Sequence, residues 1–191
     1  MRILSTGISP KFVKKWTMVE AIREIVQNYL DSRKDFDCGG FIDWKDGRAR
    51  VRDKGPGLEV RHLVLGISEK SEEAVGRFGK GLKQALLVMA REGRNVIIFT
   101  SEKVIEPFIE YDEGFKTEIM KLKITDSKGP TKRLIGTTIS FDCTEEELEA
   151  GKSFFLKFLG QQYKMLTDKI STPGGSVYVN GSRVGQIENS L

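Results

Sequence analysis

The stretch Asp53-Lys54-Gly55-Pro56-Gly57, taken with Gly76-Arg77-Phe78-Gly79-Lys80-Gly81, constrains the fold more than any other feature of the chain. An acidic residue heads the first glycine turn, and the second cluster opens into an apolar run. Glycine accepts positive φ and lets the backbone approach a ligand closely. Successive N–H groups in such turns form anion-binding concavities. A glycine cluster at a helix N-terminus adds the positive end of the helix dipole. The pair reads as a nucleotide site, with Asp53 holding a polar group and the later glycines holding phosphates. Glycine turns are common, so the surrounding chain decides the matter.

Residues 1–15 read as an arm leading into a helix. Thr17 and Glu20 fit a capping box, which predicts a helix to about Ser32. Ile22, Ile25, Val26, Tyr29 and Leu30 recur at helical spacing and mark its core face. Glu24, Asn28 and Asp31 recur at i, i+4 and i+7 on another face. A charged row of this kind is usually a solvated face. Asn28 fits that reading least, because asparagine is a poor helix former.

Asp37-Cys38-Gly39-Gly40 ends the helical pattern. Residues 41–44 and 48–53 read as strands joined by a hairpin at Asp46-Gly47. Asp53 then stands at a strand end, as an ordinary turn aspartate or as a ligand-holding one. A short helix over 62–67 and a polar loop after it follow, the loop being either a lid or plain surface. Leu82, Ala85, Leu86 and Met89 give the helix after Gly81 an apolar face. Strands are predicted over 94–100, 104–111, 117–124 and 136–141. Pro107 makes the second of these an edge strand or a bulged one. The third alternates, so one of its faces is wet. Thr144 and Glu147 form a second capping-box pattern. The helix it starts is expected to run, interrupted near Gly151 and Gly160, to the Thr172-Pro173-Gly174-Gly175 stop. Asn180-Gly181 marks a final hairpin.

This order predicts an α+β two-layer sandwich, with a mixed, mostly antiparallel sheet and helices on one face. With 191 residues, 39% of them apolar, a single domain over 1–191 has enough material for a full core. The net charge of +4 is interleaved with acidic residues, which permits nucleic-acid contact without indicating it. Cys38 and Cys143 lie far apart and read as free thiols in a reducing compartment. His62 stands alone, which disfavours a zinc site. No segment has the length of a membrane span or the form of a secretory signal, so a cytoplasmic protein is expected.

Four separated elements together resemble the GHKL ATPases: gyrase B subunits, the large heat-shock chaperones, sensor histidine kinases and MutL, with the MORC proteins nearby. Glu24, Asn28 and Asp31 match the E-x-x-x-N-x-x-D box. Asp53, Gly55 and Gly57 match D-x-G-x-G, and Gly76, Gly79 and Gly81 match G-x-x-G-x-G. Gly136-Thr137 before a strand matches the final G-T element. The motif-bearing part covers about 15–145, leaving the C-terminal helix and hairpin at 146–191 outside it.

The resemblance implies the Bergerat fold and Mg²⁺-dependent binding of ATP. Asn28 would offer its side-chain oxygen to Mg²⁺. Glu24 would be the general base that activates the attacking water. Asp53 would accept the adenine amino group, supported by Thr137. Gly55 and Gly57 would keep the turn open. Gly76, Arg77, Phe78, Gly79, Lys80, Gly81 and Leu82 would wrap the phosphates. Lys70, Lys80 and Lys83 are candidate phosphate contacts, and a lysine after the last glycine resembles MORC proteins. Asp31 would line the pocket floor.

About fifty residues follow the G-T element, too few for the second domain whose lysine reaches the γ-phosphate in hydrolysing relatives. No phosphoacceptor histidine helix precedes Glu24. Three functions follow. The first is an ATPase or ATP-driven switch, with ATP ordering a lid at 66–80 and creating a surface for a self-dimer or a protein partner. The second is a nucleotide-binding regulatory module with no turnover of its own. The third is a small serine kinase of the anti-sigma type.

Overall fold

The computed structural model describes residues 1–63, 80–127, 134–159, 164–166, 169–171, 176–179 and 181–186. Of the motif residues, Lys70, Gly76, Arg77, Phe78 and Gly79 lie outside the described residues, as does nearly all of the expected lid.

Strand β1 (Arg2–Ile8) opens the chain and helix α1 (Met18–Asp35) follows. The expected capping box is present: Glu20 Oε2 accepts the Thr17 backbone N–H at 2.7 Å, and Thr17 Oγ1 accepts the Val19 N–H at 3.3 Å. Such caps contribute about 1 kcal/mol each. The hairpin of β2 (Gly40–Lys45) and β3 (Arg48–Asp53) turns through Asp46 and Gly47, at φ of 52° and 79°. Both are left-handed, the conformation that an Asp-Gly turn favours. A 3₁₀ turn occupies Val60–Leu63. Helix α2 (Gly81–Arg91) leads into β4 (Val96–Ser101), β5 (Lys103–Asp112), β6 (Thr117–Asp126) and β7 (Leu134–Asp142). Helix α3 (Glu145–Lys152) starts at the second expected capping box, where Thr144 and Glu147 bond each other reciprocally.

These strands form a seven-stranded sheet in the order β1-β6-β5-β4-β7-β3-β2. Among the described residues every pair in it is antiparallel. The fold is α+β in two layers. Ile22, Ile25 and Val26 of α1 and Leu86 and Met89 of α2 share one buried cluster with Val51, Ile98, Ile139 and Phe141 of the sheet. The other sheet face is wet and carries the ion pairs Arg48–Asp142, Arg50–Asp43 and Lys123–Glu106.

Two expectations are corrected. Residues 1–15 were expected as an arm, but residues 2–8 form an edge strand beside β6. Ile8 is buried and Thr6 Oγ1 donates to Met120 O at 2.6 Å. That pairing is with a strand more than a hundred residues away, so no local pattern announces it. The second correction concerns 164–171, where a helix was expected. β8 (Lys164–Leu166) and β9 (Lys169–Ser171) instead join β10 (Ser176–Val179) and β11 (Ser182–Gln186) in a four-stranded antiparallel sheet. The helix ends at Lys152, and Phe155 then bridges to Ser182. There β8 pairs with β9 and β9 with β10, so strands adjacent in sequence satisfy this backbone in place of a helix.

Pro107 falls in β5, which is interior by strand order. Its pairing to β4 stops at Ile105, so at Pro107 the only described neighbour is β6. The missing N–H therefore costs no second ladder bond. Among the described residues no helix is long and apolar enough to cross a membrane.

Candidate functional site

The sheet register builds one end of the site. Asp53 pairs with Thr137, and Thr137 pairs with Thr100. Side chains alternate along a strand. Asp53 shares the side of buried Val51, Thr137 that of Ile139, and Thr100 that of Ile98. One row across β3, β7 and β4 thus presents Asp53, Thr137 and Thr100 to the helix layer. Gly136 makes the close approach possible. Its φ is +89°, and a Cβ there would collide with the Asp53 carbonyl oxygen.

Helix α1 closes this end from above. Ser32 Oγ donates to Asp53 Oδ1 at 3.0 Å, and the Gly55 N–H donates to the same oxygen at 2.8 Å. Asp53 Oδ2 has no hydrogen-bond partner among the described residues, so it can accept from a ligand. The turn beyond is pinned by Thr100, whose Oγ1 accepts the Leu58 N–H at 2.7 Å and donates to Leu58 O at 3.0 Å. Gly57, at φ +94°, lies inside that pinned turn.

The other end lies at Glu24. Arg23 Nε and Nη2 both donate to Glu24 Oε1, at 3.1 and 2.6 Å. Glu24 Oε2 abuts Gly81, the first residue of α2, where a Cβ would strike the carboxylate. A negative charge there meets the positive end of the α2 dipole. Asn28 Nδ2 donates to Glu24 O at 2.7 Å. A carbonyl can only accept, so this bond fixes the amide orientation and turns Oδ1 away from it. Asp31 is 9% exposed and accepts from Gln27 Nε2 at 2.6 Å.

The three lysines fare differently. Lys80 is exposed at the start of α2, and Lys83 is buried in that helix's first turn. Burial pushes the Lys83 ammonium below its ordinary value. Lys70 lies outside the described residues. Leu82 packs into the core.

The structure thus brings Glu24, Asn28 and Gly81 together at one end of a helix face, and Asp53, Gly55 and Thr137 together at the other. Sequence reasoning missed Ser32, Thr100, Arg23 and Arg183. Ser32 had a signal, since it extends Glu24 and Asn28 by one further i+4 step. Thr100 became legible only with the strand register. Arg23 stacks between Trp16 and Phe154, its guanidinium 5.3 and 5.4 Å from the ring centres. Arg183 lies 3.9 Å over the other partner, Phe154. Nothing local in the sequence joins these residues.

No family model matches the chain. The chain is similar to an uncharacterized protein of Mycoplasma pneumoniae, 26% identical over 210 aligned residues. That similarity covers the whole of this chain and 82% of the relative.

Proposed function

We propose that the chain is a GHKL-type, Mg²⁺-dependent ATP-binding protein that hydrolyses ATP and acts as an ATP-driven switch. What carries the reading is one juxtaposition. The Glu24 carboxylate lies against Gly81 at the start of α2, while Ser32 of the same helix bonds Asp53 beside Thr137. Asp53, Thr137 and Gly81, from three further motif stretches, thus lie along the face of α1 that carries Glu24 and Ser32. A nucleotide spanning that face would have its base at Asp53 and its phosphates at Gly81.

The residues fit the implied groups. Asp53 Oδ2 suits the amino group of adenine, and guanine presents a carbonyl oxygen there instead. Mg²⁺ takes oxygen ligands and is commonly held by one or two protein groups with substrate phosphates. Asn28 Oδ1 fits that pattern, and the ion would offset phosphate charge when bound. Among the described residues no group of three His, Cys, Asp or Glu forms a metal cage of its own. Glu24 would take a proton from water through Oε2, the oxygen that Arg23 leaves uncovered.

ADP formation with Mg²⁺ and ATP tests the reading, with Glu24→Ala beside the parent. Turnover in the parent alone, with binding retained in the variant, is the expected result. Loss of binding together with turnover would overturn the base role. One observation favours a second reading, a binding module without turnover: the Arg23 fork occupies one oxygen of Glu24. Bound ATP with no ADP formed by the isolated chain would select it.

A further inference from the structure

A cleft of about 150 Å³ opens beside Glu24. Arg23, Glu24 and Gln27 of α1 form one wall, and Phe154, Ser182 and Arg183 line the other. The C-terminal hairpin is fastened to the 154–156 segment by backbone bonds Arg183 N to Phe154 O at 2.8 Å and Leu156 N to Gly181 O at 2.9 Å. Ser182 Oγ donates to Gln27 Oε1 at 3.3 Å. The walls are therefore held by named contacts.

Among the described residues that line this cleft the charges do not balance. Arg23 is matched by Glu24 at 2.6 Å. Gln27 is neutral; it donates one amide N–H to Asp31 and accepts from Ser182. Arg183 stacks its guanidinium face on Phe154 but pairs with no carboxylate among the described residues. Its side-chain N–H donors have no acceptor among those residues either. A guanidinium carries five donors in a rigid fork that matches oxyanions. Among the described residues this cation has a packed face, an edge without an acceptor and no anion opposite it in the cleft.

We propose that this cleft binds a phosphoryl oxyanion on the Arg183 edge. The choice of phosphate over other anions rests on the ATP reading, because Glu24 both lines the cleft and lies against Gly81 at the end of α2 where phosphates would lie. About five waters would fill this volume as liquid, so a phosphate fits with part of its hydration. The same chemistry has two sources: the γ-phosphate of bound nucleotide, or phosphate released after hydrolysis.

The test is a titration of the full chain with inorganic phosphate, followed by the NMR signals of arginine Nε–H and tryptophan indole N–H. Trp16 stacks on Arg23 beside the cleft, whereas the Trp44 indole is bonded to Cys143 O, which makes Trp44 the internal control. Saturable shifts at Arg183 and Trp16, with Trp44 still, are expected. Arg183→Gln should weaken phosphate roughly tenfold or more, and Arg183→Lys should restore part of it. No shift up to about 50 mM phosphate, or equal affinity in Arg183→Gln, overturns the site.

Parallel titrations with ADP and a non-hydrolysable ATP analogue separate the sources. A loss in Arg183→Gln for free phosphate and the triphosphate, but not for ADP, identifies the γ-phosphate. A loss for free phosphate alone identifies the released product. Phosphate bound at Arg183 in a chain that binds no nucleotide leaves the cleft standing and removes the ATP reading. Nucleotide bound with no phosphate dependence on Arg183 does the reverse.

Discussion

The two ends of the polar face of α1 are built from different materials. At the Asp53 end, backbone decides position: three strands in fixed register, a glycine pressed on a carbonyl, and two donors on one carboxylate oxygen. At the Glu24 end, side chains decide it: a fork from Arg23, itself held between Trp16 and Phe154. The first end can change only if the sheet changes. The second depends on a hairpin at the far end of the chain, through Arg183 on Phe154. Base recognition would then be rigid, and the chemical step open to adjustment from the C-terminal hairpin.

The largest expected effect is on chemistry. Glu24→Ala should lower ATP turnover roughly a thousandfold while Mg-ATP affinity stays within about threefold, as measured by ADP release and by titration. A parallel loss of affinity would erase the distinction between the two ends.

Two glycine substitutions then separate them. Gly136→Ala drives a Cβ into the Asp53 backbone at a left-handed φ, and backbone cannot yield cheaply. Its urea midpoint should fall by the equivalent of about 3 kcal/mol. Gly81→Ala meets instead the flexible end of Glu24. Stability should change by less than about 1 kcal/mol, while turnover drops roughly ten- to a hundredfold because the base moves. Equal destabilisation by the two substitutions would contradict the contrast.

The smallest effect concerns pH. Partial burial raises the Glu20 carboxyl, but its hydrogen bonds to Thr17 outweigh that and hold it below its ordinary value of 4.5. A depressed carboxylate contributes stability above its unfolded value and loses it as pH falls through the folded one. The advantage of the parent over Glu20→Gln in urea midpoint should be full near about pH 6 and shrink below the ordinary carboxylate range. Since Glu20 caps the Glu24 end of α1, helix fraying should start there, and amide exchange at residues 19–24 should report it before residues 29–33.

Legibility in the sequence follows the same division. The α1 capping box, the Asp46-Gly47 hairpin, the helix after Gly81 and the two-layer α+β arrangement depend on residues close in sequence, and all were readable. The pairing of β1 with β6 depends on a distant partner, which no local pattern announces, whereas β8 and β9 pair with each other and were misread as helix from local pattern itself. Within the site, spacing put Glu24 and Asn28 on one helix face and Asp53 at a strand end, and the resemblance to the GHKL motifs singled them out. Ser32 was one helical step beyond them. Thr100 needed the register, and Arg23 with Arg183 needed the packing of Phe154 between two remote elements.

Direct binding of nucleotide tests the central claim, that the converging motifs form an adenine-nucleotide site. Calorimetric titration of the purified chain with ATP in Mg²⁺, and with GTP under the same conditions, reads it without reference to turnover. The account predicts saturable one-to-one binding of ATP and GTP weaker by roughly a hundredfold or more, because guanine presents a carbonyl oxygen to Asp53 where adenine presents its amino group. Equal binding of the two nucleotides, or binding of neither, would contradict it.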